Sequence, residues 1–152
     1  MGYSIVPFEA EHAARLRDID PRSGFDPAWA DTGFGEQIAE AVTASQANAW
    51  SAIDENGNVL GIAGFDWHHG SYATAWAIWS RGWRRYARAL TADVLAIIEC
   101  VNEGRRLDAT VMTDDFPGGH AWVRKLGFRR IAGRMEKYWP NGEACDLYER
   151  VR

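Results

Sequence analysis

The stretch AWVRKLGFRRIAGRMEKYWPNGEACDLYERV, from Ala121 to Val151, holds the most specific succession of structural signals in the chain. A short helical run ends at Gly127, a residue type that commonly terminates helices. The runs IAGRMEKYW and ACDLYERV have strand character, and the intervening PNG favours a turn. The end of the chain is therefore predicted to be a helix, a strand, a turn and a second strand.

Upstream, AIWSRGWRRYARALTADVLAIIEC, from Ala77 to Cys100, predicts a strand that passes directly into a long helix. SYATAWAIWS is apolar on both alternating faces, as in a strand of a sheet interior. A helical apolar stripe then runs from about Trp83 to Glu103 and stops at Gly104. Four arginines follow one another at i, i+3, i+4 and i+7 across the helix start: Arg81, Arg84, Arg85 and Arg88. Since the first helical turn disfavours cations, this crowding indicates an anionic ligand.

The remaining segments complete the order β, α, α, β, β, β, α, β, α, β, β. YSIVPF predicts the first strand, and EAEHAARLRDI and GEQIAEAVTAS predict the first two helices. The Asn56-Gly57 pair between two alternating apolar runs is a hairpin signal. Because no linker, repeat or low-complexity segment interrupts this order, we expect a single domain over residues 1–152.

Composition indicates a globular protein rather than a membrane or fibrous one. Of 152 residues, 47% are hydrophobic and 25% charged, and no apolar run approaches the length of a membrane span. The start of the chain carries no secretory or lipidation signal, so we expect a cytoplasmic protein that does not associate with membranes. The net charge of −4 argues against general nucleic-acid binding, although local basic clusters can attract anions.

The cysteine and histidine spacing predicts neither a metal site nor a disulfide scaffold. Cys100 and Cys145 lie far apart without a CxxC pattern, and we expect both to be buried, reduced thiols. The adjacent His68 and His69 have no third ligand at a suitable spacing, so no metal is predicted.

The element order, the long helix after the fourth strand, and K-L-G-F at the end of the last helix resemble the GCN5-related N-acetyltransferase family, GNAT. The resemblance covers most of the chain by element order and about residues 72–151 by motif. It implies a three-layer α+β fold. The mixed, mostly antiparallel sheet is expected to have about six to seven strands and to be flanked by about four helices. It also implies acyl transfer from acetyl-coenzyme A to an amine by direct attack.

In that family acetyl-coenzyme A enters where the fourth and fifth strands separate, and backbone amides at the following helix hold its diphosphate. By this resemblance SRGWRRYAR is the phosphate loop. The cofactor-binding residues it implies are Ile78, Trp79, Arg81, Arg84, Arg85, Ala87 and Arg88.

The loop departs from the family pattern because Gly82 is its only glycine, and side chains stand where small residues are usual. Two interpretations follow: either guanidinium groups hold the phosphates, or the chain no longer binds coenzyme A. A third interpretation is that the arginines form a solvated helix face opposite the core. The position of Arg88 in the helical spacing supports this interpretation for that residue.

The resemblance also implies where proton-transfer residues are expected. The family often uses a tyrosine five residues before the phenylalanine of K-L-G-F to protonate the leaving thiolate, and this sequence has Val123 there. Ser80, Tyr86 and His120 are candidate replacements, and Asp66 is the candidate general base. Two further carboxylates, Asp114 and Asp115, are expected to cap the next helix.

The sequence gives less information about the acceptor amine than about the acetyl donor. Phe25, Trp29 and Phe34 could line a pocket for an apolar or aromatic amine, and the acceptor classes are a small molecule or a protein N-terminus or lysine. Trp122 and Trp139 either wall a pocket or fill the core. A homodimer is left open.

The glycine-poor loop and Val123 also resemble divergent GNAT-like proteins of tailed bacteriophages. The alternative function is therefore a catalytically degenerate binding or virion-associated protein. Nucleic-acid attachment through RGWRRYAR, where aromatic residues alternate with arginines, is disfavoured by the net acidity.

Overall fold

The structure is a computed structural model, and it describes residues 2–16, 18, 48–113, 117–138 and 142–152. Several sequence-based predictions therefore lie outside the described residues. These are the helix GEQIAEAVTAS, most of the PNG turn, the proposed acceptor-pocket residues Phe25, Trp29 and Phe34, the proposed helix-capping residues Asp114 and Asp115, and Trp139.

The described strands form one sheet in the order β1-β2-β3-β4-β5-β7-β6. Their bounds are β1 Tyr3–Pro7, β2 Asn48–Asp54, β3 Val59–His69, β4 Tyr72–Trp79, β5 Arg106–Met112, β6 Arg129–Met135 and β7 Cys145–Val151. Helix α1 spans Ala10–Arg15, α2 Ala87–Asn102 and α3 Pro117–Lys125, and a 3-10 helix spans Arg81–Tyr86. Within the described ranges, no helix has the length and apolarity needed to cross a membrane.

The sheet is mixed and mostly antiparallel, as predicted. Strand β2 pairs antiparallel with β1 and β3, and β7 pairs antiparallel with β5 and β6. Strand β4 pairs with β5 in parallel, joining Tyr72, Ala73 and Thr74 to residues 106–108 at the amino-terminal ends of both strands. The predicted position of the fourth strand inside the sheet is confirmed.

Buried carboxylates stabilise the parallel pair. Asp108 is only 4% exposed, and it accepts hydrogen bonds from the Tyr72 hydroxyl at 2.8 Å and from Arg106 Nε at 2.9 Å. Arg106 also lies 3.1 Å from the buried carboxylate of Glu149. The bond to Asp108, with burial, raises the pKa of Tyr72. Because each buried charge has a partner, the strand pair avoids the cost of an uncompensated ion.

Helix α2 begins later than the sequence predicted. The apolar stripe suggested a start near Trp83, but residues Arg81–Tyr86 form the 3-10 helix and α2 starts at Ala87. The Arg81 amide donates to the Asp18 carbonyl at 2.7 Å, and the Trp83 amide donates to Ser80 at 3.2 Å. These bonds tighten the chain into a 3-10 helix as it leaves β4. The prediction of one α-helical arginine face is therefore wrong, since of the four only Arg88 lies in α2.

Contacts divide the chain into two compact units. The first comprises Met1–Asp66 with Trp76–Tyr86, and the second comprises Trp67–Ala75 with Ala87–Arg152. The first unit has an apolar cluster formed by Ala13, Leu16, Val59 and Ile62, against which Phe8, Trp76 and Ile78 pack. Buried residues of the second unit include Leu90, Ile98, Leu107, Val123, Leu126, Phe128 and Tyr148. The single domain over residues 1–152 stays a prediction.

The K-L-G-F segment ends α3 as the sequence predicted. Gly127 has φ +85°, a left-handed conformation that glycine adopts without steric cost. The amides of Gly127 and Phe128 donate to the carbonyls of Arg124 and Val123 at 2.9 and 3.1 Å. These bonds satisfy the last helical carbonyls and direct the chain into β6.

The two cysteines differ in environment. Cys145 is fully buried, and burial, with a smaller contribution from the charge of Asp146, raises its pKa to about 11. Cys100 is exposed on α2, so the expectation that both thiols are buried is wrong for Cys100. Its position falls on the solvent side of the helix, which a stripe of apolar residues alone does not reveal.

Replacing Gly61 with alanine should destabilise the first unit. A Cβ at this buried position in β3 would lie 2.0 Å from Cε3 of Trp79 and 2.9 Å from the Ile78 carbonyl oxygen. Such overpacking costs about 1–3 kcal/mol, so Gly61→Ala should lower the free energy of unfolding by that amount in chemical denaturation. Gly70→Ala is the control, because a Cβ there meets no described atom within 4 Å. Equal stability of the two variants would contradict this packing.

The thiols should react at very different rates. At about pH 8 the Cys145 thiol remains protonated and buried, and only the thiolate is nucleophilic. Mass spectrometry after alkylation of the folded protein should therefore find modification at Cys100, and at both cysteines after denaturation. Cys100→Ser should abolish native labelling. Rapid labelling of Cys145 in the folded protein would refute its assignment as an inert thiol.

Candidate functional site

The first unit contains a cavity of about 680 Å³. One wall is the turn between β2 and β3, and another is the 3-10 helix that follows β4. Of the candidate cofactor-binding and catalytic residues named from the sequence, Ser80, Arg81, Arg85 and Tyr86 line this cavity. The structure thus brings together one serine, two arginines and a tyrosine from the predicted phosphate loop.

Ser80 fixes the position of the 3-10 helix. It is 6% exposed, and both its amide and its hydroxyl donate to the Leu60 carbonyl of β3, at 2.8 and 3.0 Å. Since the hydroxyl proton is already engaged with a buried acceptor, Ser80 is held in one orientation. The next residues, Arg81 and Gly82, are exposed beside the cavity.

The opposite wall is organised by Asp54. Its carboxylate accepts hydrogen bonds from the amides of Asn56 and Asn58 at 2.9 and 2.8 Å, and from the Asn58 side chain at 2.9 Å. The Asn58 side-chain bond lowers the pKa of Asp54 against the opposing effect of burial, and the charge of Arg85 lowers it further. Asp54 is therefore an anion that keeps the turn rigid and faces the arginine cluster.

Among the described residues that line the cavity, positive charges outnumber negative ones. Arg15, Arg81 and Arg85 contribute guanidinium groups, whereas Asp18 and Asp54 contribute carboxylates. Arg81 Nε lies 3.3 Å from Asp18 Oδ1, and both side chains are more than half exposed. Exposed ion pairs of this kind contribute about 0–1 kcal/mol, so a phosphate can compete with Asp18 for Arg81.

The backbone at this loop is less available than its side chains. The amides of Arg81 and Trp83 donate to protein carbonyls, as does the Ser80 hydroxyl. The residues present therefore fit a diphosphate through guanidinium groups, which form bidentate bonds to phosphate oxygens. This favours the first of the two interpretations drawn from the glycine-poor loop.

The other predicted site residues lie elsewhere. Ile78 packs on the apolar cluster of the first unit, and Trp79 is 4% exposed and stacks on Trp83 with ring centroids 5.2 Å apart. Asp66 and Arg84 are exposed and do not line the cavity. Three residues belong to the second unit, namely Ala87 and Arg88 in α2 and His120 in α3. The cofactor-binding and catalytic roles of these residues remain predictions.

In the second unit, Val123 and His120 lie one helical turn apart on α3. Val123 is 7% exposed, so the position of the family tyrosine is filled by a core side chain. His120 is half-buried, and its Nδ1 lies 2.7 Å from the hydroxyl of the fully buried Tyr148. Trp122 is half-buried and donates from Nε1 to Thr91 Oγ1 at 2.9 Å, which supports a packing role.

The histidines of β3 make local contacts near the strand end. His68 Nε2 lies 2.8 Å from Thr74 Oγ1, and the rings of His68 and His69 lie 4.6 and 5.7 Å from that of Tyr72. In the described part of the chain, no three His, Cys, Asp or Glu side chains are grouped as metal ligands would be.

Sequence reasoning missed several residues that line the cavity, namely Arg15, Asp18, Asp54 and Asn58. The Asp54 to Asn58 segment carried a turn signal, which predicted the hairpin but gave no reason to expect a ligand. Arg15 is the last residue of α1 and Asp18 follows the helix, and no pattern in the sequence relates them to the loop after β4.

Comparison with known proteins gives a consistent result at the level of the fold. No family model matches the sequence, and no curated protein matches it either. The structure is similar to that of Ard1 from Thermoplasma volcanium, with a TM-score of 0.76, 15% identity, and coverage of 99% of this chain and 98% of that one.

Two further solved structures are similar to this fold. A probable GNAT-family acetyltransferase from Chromobacterium violaceum has a TM-score of 0.74 at 17% identity, covering 99% of this chain and 88% of that one. The spermidine/spermine N-acetyltransferase SpeG from Vibrio cholerae has a TM-score of 0.68 at 11% identity, covering 99% and 95%. At such low identity the similarity concerns the fold, and this chain has the fold of the GNAT acetyltransferases.

Proposed function

We propose that this protein is an acyl-coenzyme A-dependent N-acyltransferase that transfers an acetyl group from acetyl-coenzyme A to an amine. The observation that carries the proposal is the GNAT fold, which extends over 99% of the chain in the three comparisons above. The cavity lined by Arg81 and Arg85 also supports the proposal, because both arginines belong to the loop that the resemblance predicts to bind phosphate.

Arg81 and Arg85 hold the diphosphate in this proposal. Their exposed guanidinium groups provide charge-assisted donors where a glycine-rich loop would provide amides. Arg15 adds a third positive charge to the same cavity. The sequence also predicts contacts of Arg84, Arg88 and Ala87 with the cofactor, but the two arginines do not line the cavity, and the comparison variant below tests whether they contribute.

Acetyl-coenzyme A supplies the thioester, and the protein positions it and the amine. The amine nitrogen attacks the carbonyl carbon, a C–N bond forms and the C–S bond breaks. The amine loses a proton to Asp66 or to water, and the thiolate receives one, for which Ser80, Tyr86 and His120 are the candidates. Ser80 would have to exchange its hydrogen bond with Leu60 to donate.

The acceptor is an amine on a small molecule or on a protein N-terminus or lysine. A panel for the first assay should contain a polyamine, since one structural neighbour is a spermidine/spermine acetyltransferase. It should also contain an arylalkylamine, a peptide with a free N-terminus and a lysine peptide. We place the reaction in the cytoplasm.

A binding assay followed by a turnover assay tests this function. Acetyl-coenzyme A and desulfo-coenzyme A should both raise the melting temperature, because a ligand that binds only the folded state stabilises it. Thiol release should then occur with acetyl-coenzyme A and at least one amine of the panel. Binding without turnover would favour the alternative of a degenerate binding protein, and the absence of any shift would reject both.

Removing the two cavity arginines should weaken cofactor binding. Arg81→Ala combined with Arg85→Ala deletes two charge-assisted contacts, each worth about 1.5–3 kcal/mol at most when desolvated. We expect the Kd for desulfo-coenzyme A to rise at least tenfold in calorimetry, with little change in melting temperature of the free protein because both side chains are exposed.

Arg84→Ala combined with Arg88→Ala provides the matched comparison. It removes the same formal charge from two exposed neighbours that do not line the cavity. We expect its Kd to change by less than about threefold, since long-range attraction is largely screened at physiological salt. If the two double variants lose affinity equally, the cavity has no special part in phosphate binding.

A further inference from the structure

Arg15 contributes a guanidinium group to the cavity from outside the 3-10 helix. It is the last residue of α1, whereas Arg81 and Arg85 belong to the 3-10 helix that follows β4. All three residues belong to the first unit, and the cavity that they line therefore lies within that unit. The proposed function uses Arg81 and Arg85 for the diphosphate and gives Arg15 no partner of its own.

The hairpin turn between β2 and β3 fixes the position of the Arg15 guanidinium. Its Nη2 donates a hydrogen bond to the carbonyl of Gly57 in that turn. Gly57 has φ +80°, and its amide donates to the Asp54 carbonyl at 3.0 Å. Since the Asp54 carboxylate also accepts from Asn56 and Asn58, the turn is a rigid support. Arg15 is thus attached to the hairpin wall of the cavity, on which no phosphate contact has yet been placed.

This attachment leaves most of the guanidinium available to a ligand. The group has five N–H donors, and the Gly57 carbonyl accepts from one of its nitrogens. Nη1 lies 3.6 Å from a carboxylate oxygen of Glu11, and the Arg15 and Glu11 side chains are 42% and 70% exposed. Water and salt weaken such an exposed pair, so an anion can compete with Glu11. Because a carbonyl does not neutralise a cation, Arg15 retains its positive charge.

Arg15 also accounts for the positive excess of the cavity. The other charged residues described along the lining are two arginines and two aspartates, namely Arg81, Arg85, Asp18 and Asp54. Arg81 Nε lies 3.3 Å from Asp18, and Arg85 is close enough to Asp54 for its charge to act on that carboxylate. These four charges balance, so a ligand with two separate phosphate groups requires a further cation. Arg15 supplies that cation.

Coenzyme A carries two such phosphate groups. Besides its diphosphate it has a phosphate monoester on the 3′ position of the ribose, and a monoester bears a charge of about −1.5 to −2 at pH 7. The cavity of about 680 Å³ falls within the range of about 300–1,000 Å³ for pockets that bury a whole small molecule. It therefore has room for more than a diphosphate. Guanidinium suits the monoester because its planar fork forms paired, charge-assisted bonds to phosphate oxygens.

We propose that Arg15 binds the 3′-phosphate of coenzyme A and makes the protein select coenzyme A over its 3′-dephospho form. This deepens the proposed function and rests on it, because it requires the diphosphate to lie at Arg81 and Arg85. The two phosphate groups then occupy the two walls of the cavity. Arg15 is a specificity-determining residue in this assignment and takes no part in the making or breaking of bonds.

Calorimetry with coenzyme A and 3′-dephospho-coenzyme A tests this selectivity without an acceptor amine. The unaltered protein should bind coenzyme A about tenfold more tightly, since one charge-assisted contact distinguishes the two ligands. Arg15→Gln removes the charge, so it should bind coenzyme A about tenfold more weakly and leave the Kd for the dephospho form unchanged. Arg15→Lys, which keeps the positive charge, should retain a preference of about threefold or more.

Arg85→Gln is the matched control, because it removes one arginine from the other wall of the cavity. It should weaken the binding of both ligands by the same factor and leave the preference for coenzyme A intact. If Arg15 serves only to support the hairpin turn, Arg15→Gln should weaken both ligands equally. That result would overturn the proposal.

Phosphorus-31 resonance of bound coenzyme A gives a second measurement that a merely structural role would not change. The second pKa of a phosphate monoester is about 6. Because a neighbouring guanidinium favours the dianion, the pKa of the 3′-phosphate should be lower when it is bound to the unaltered protein than when it is free. In Arg15→Gln this pKa should return toward that of the free ligand. Identical titrations in the two proteins would contradict contact with Arg15.

The outcomes separate this inference from the proposed function. If the unaltered protein binds both ligands with the same affinity, the role of Arg15 is rejected while coenzyme A binding stands. If it binds neither ligand, coenzyme A binding itself is rejected, and the assignment of Arg15 is rejected with it.

Discussion

The double hydrogen bond from Ser80 to the Leu60 carbonyl is the interaction on which the candidate site depends. It ties the residue that follows β4 to the beginning of β3, at 2.8 Å from the amide and 3.0 Å from the hydroxyl. Because Ser80 is buried, neither bond is exchanged readily with water. The chain that emerges from this anchor turns into the 3-10 helix, which places Arg81 and Arg85 beside the hairpin turn.

A single electrostatic principle then relates the loop to its proposed ligand. Where backbone amides already donate to protein carbonyls, a phosphate needs side-chain donors, and guanidinium provides them with fixed geometry. Arg81 lies 3.3 Å from the Asp18 carboxylate, and the charge of Arg85 lowers the pKa of Asp54. Such weak exposed pairs suit a site that must exchange one anionic partner for another.

The sequence predicted the order of the described elements and the end of α3 at K-L-G-F, since strand alternation, helical periodicity and turn residues are local signals. It placed the start of α2 too early, because the periodic stripe does not distinguish a 3-10 from an α-helical turn. It also indicated that the arginine loop binds an anion, but it did not show which of the four arginines line the cavity. This depends on contacts with Leu60 and Asp18, which are remote in sequence.

The sequence by itself determined the kinds of elements, their order and the resemblance to an acyltransferase fold, because each follows from residues close together in the chain. Only the tertiary structure brought Arg15 and Asp54 to the loop at Arg85, and the Tyr148 hydroxyl to His120. The physical reason is that hydrogen bonds and charges act over a few ångströms in space. The pairing of strands and packing of helices, rather than spacing along the chain, decides which side chains come within that distance.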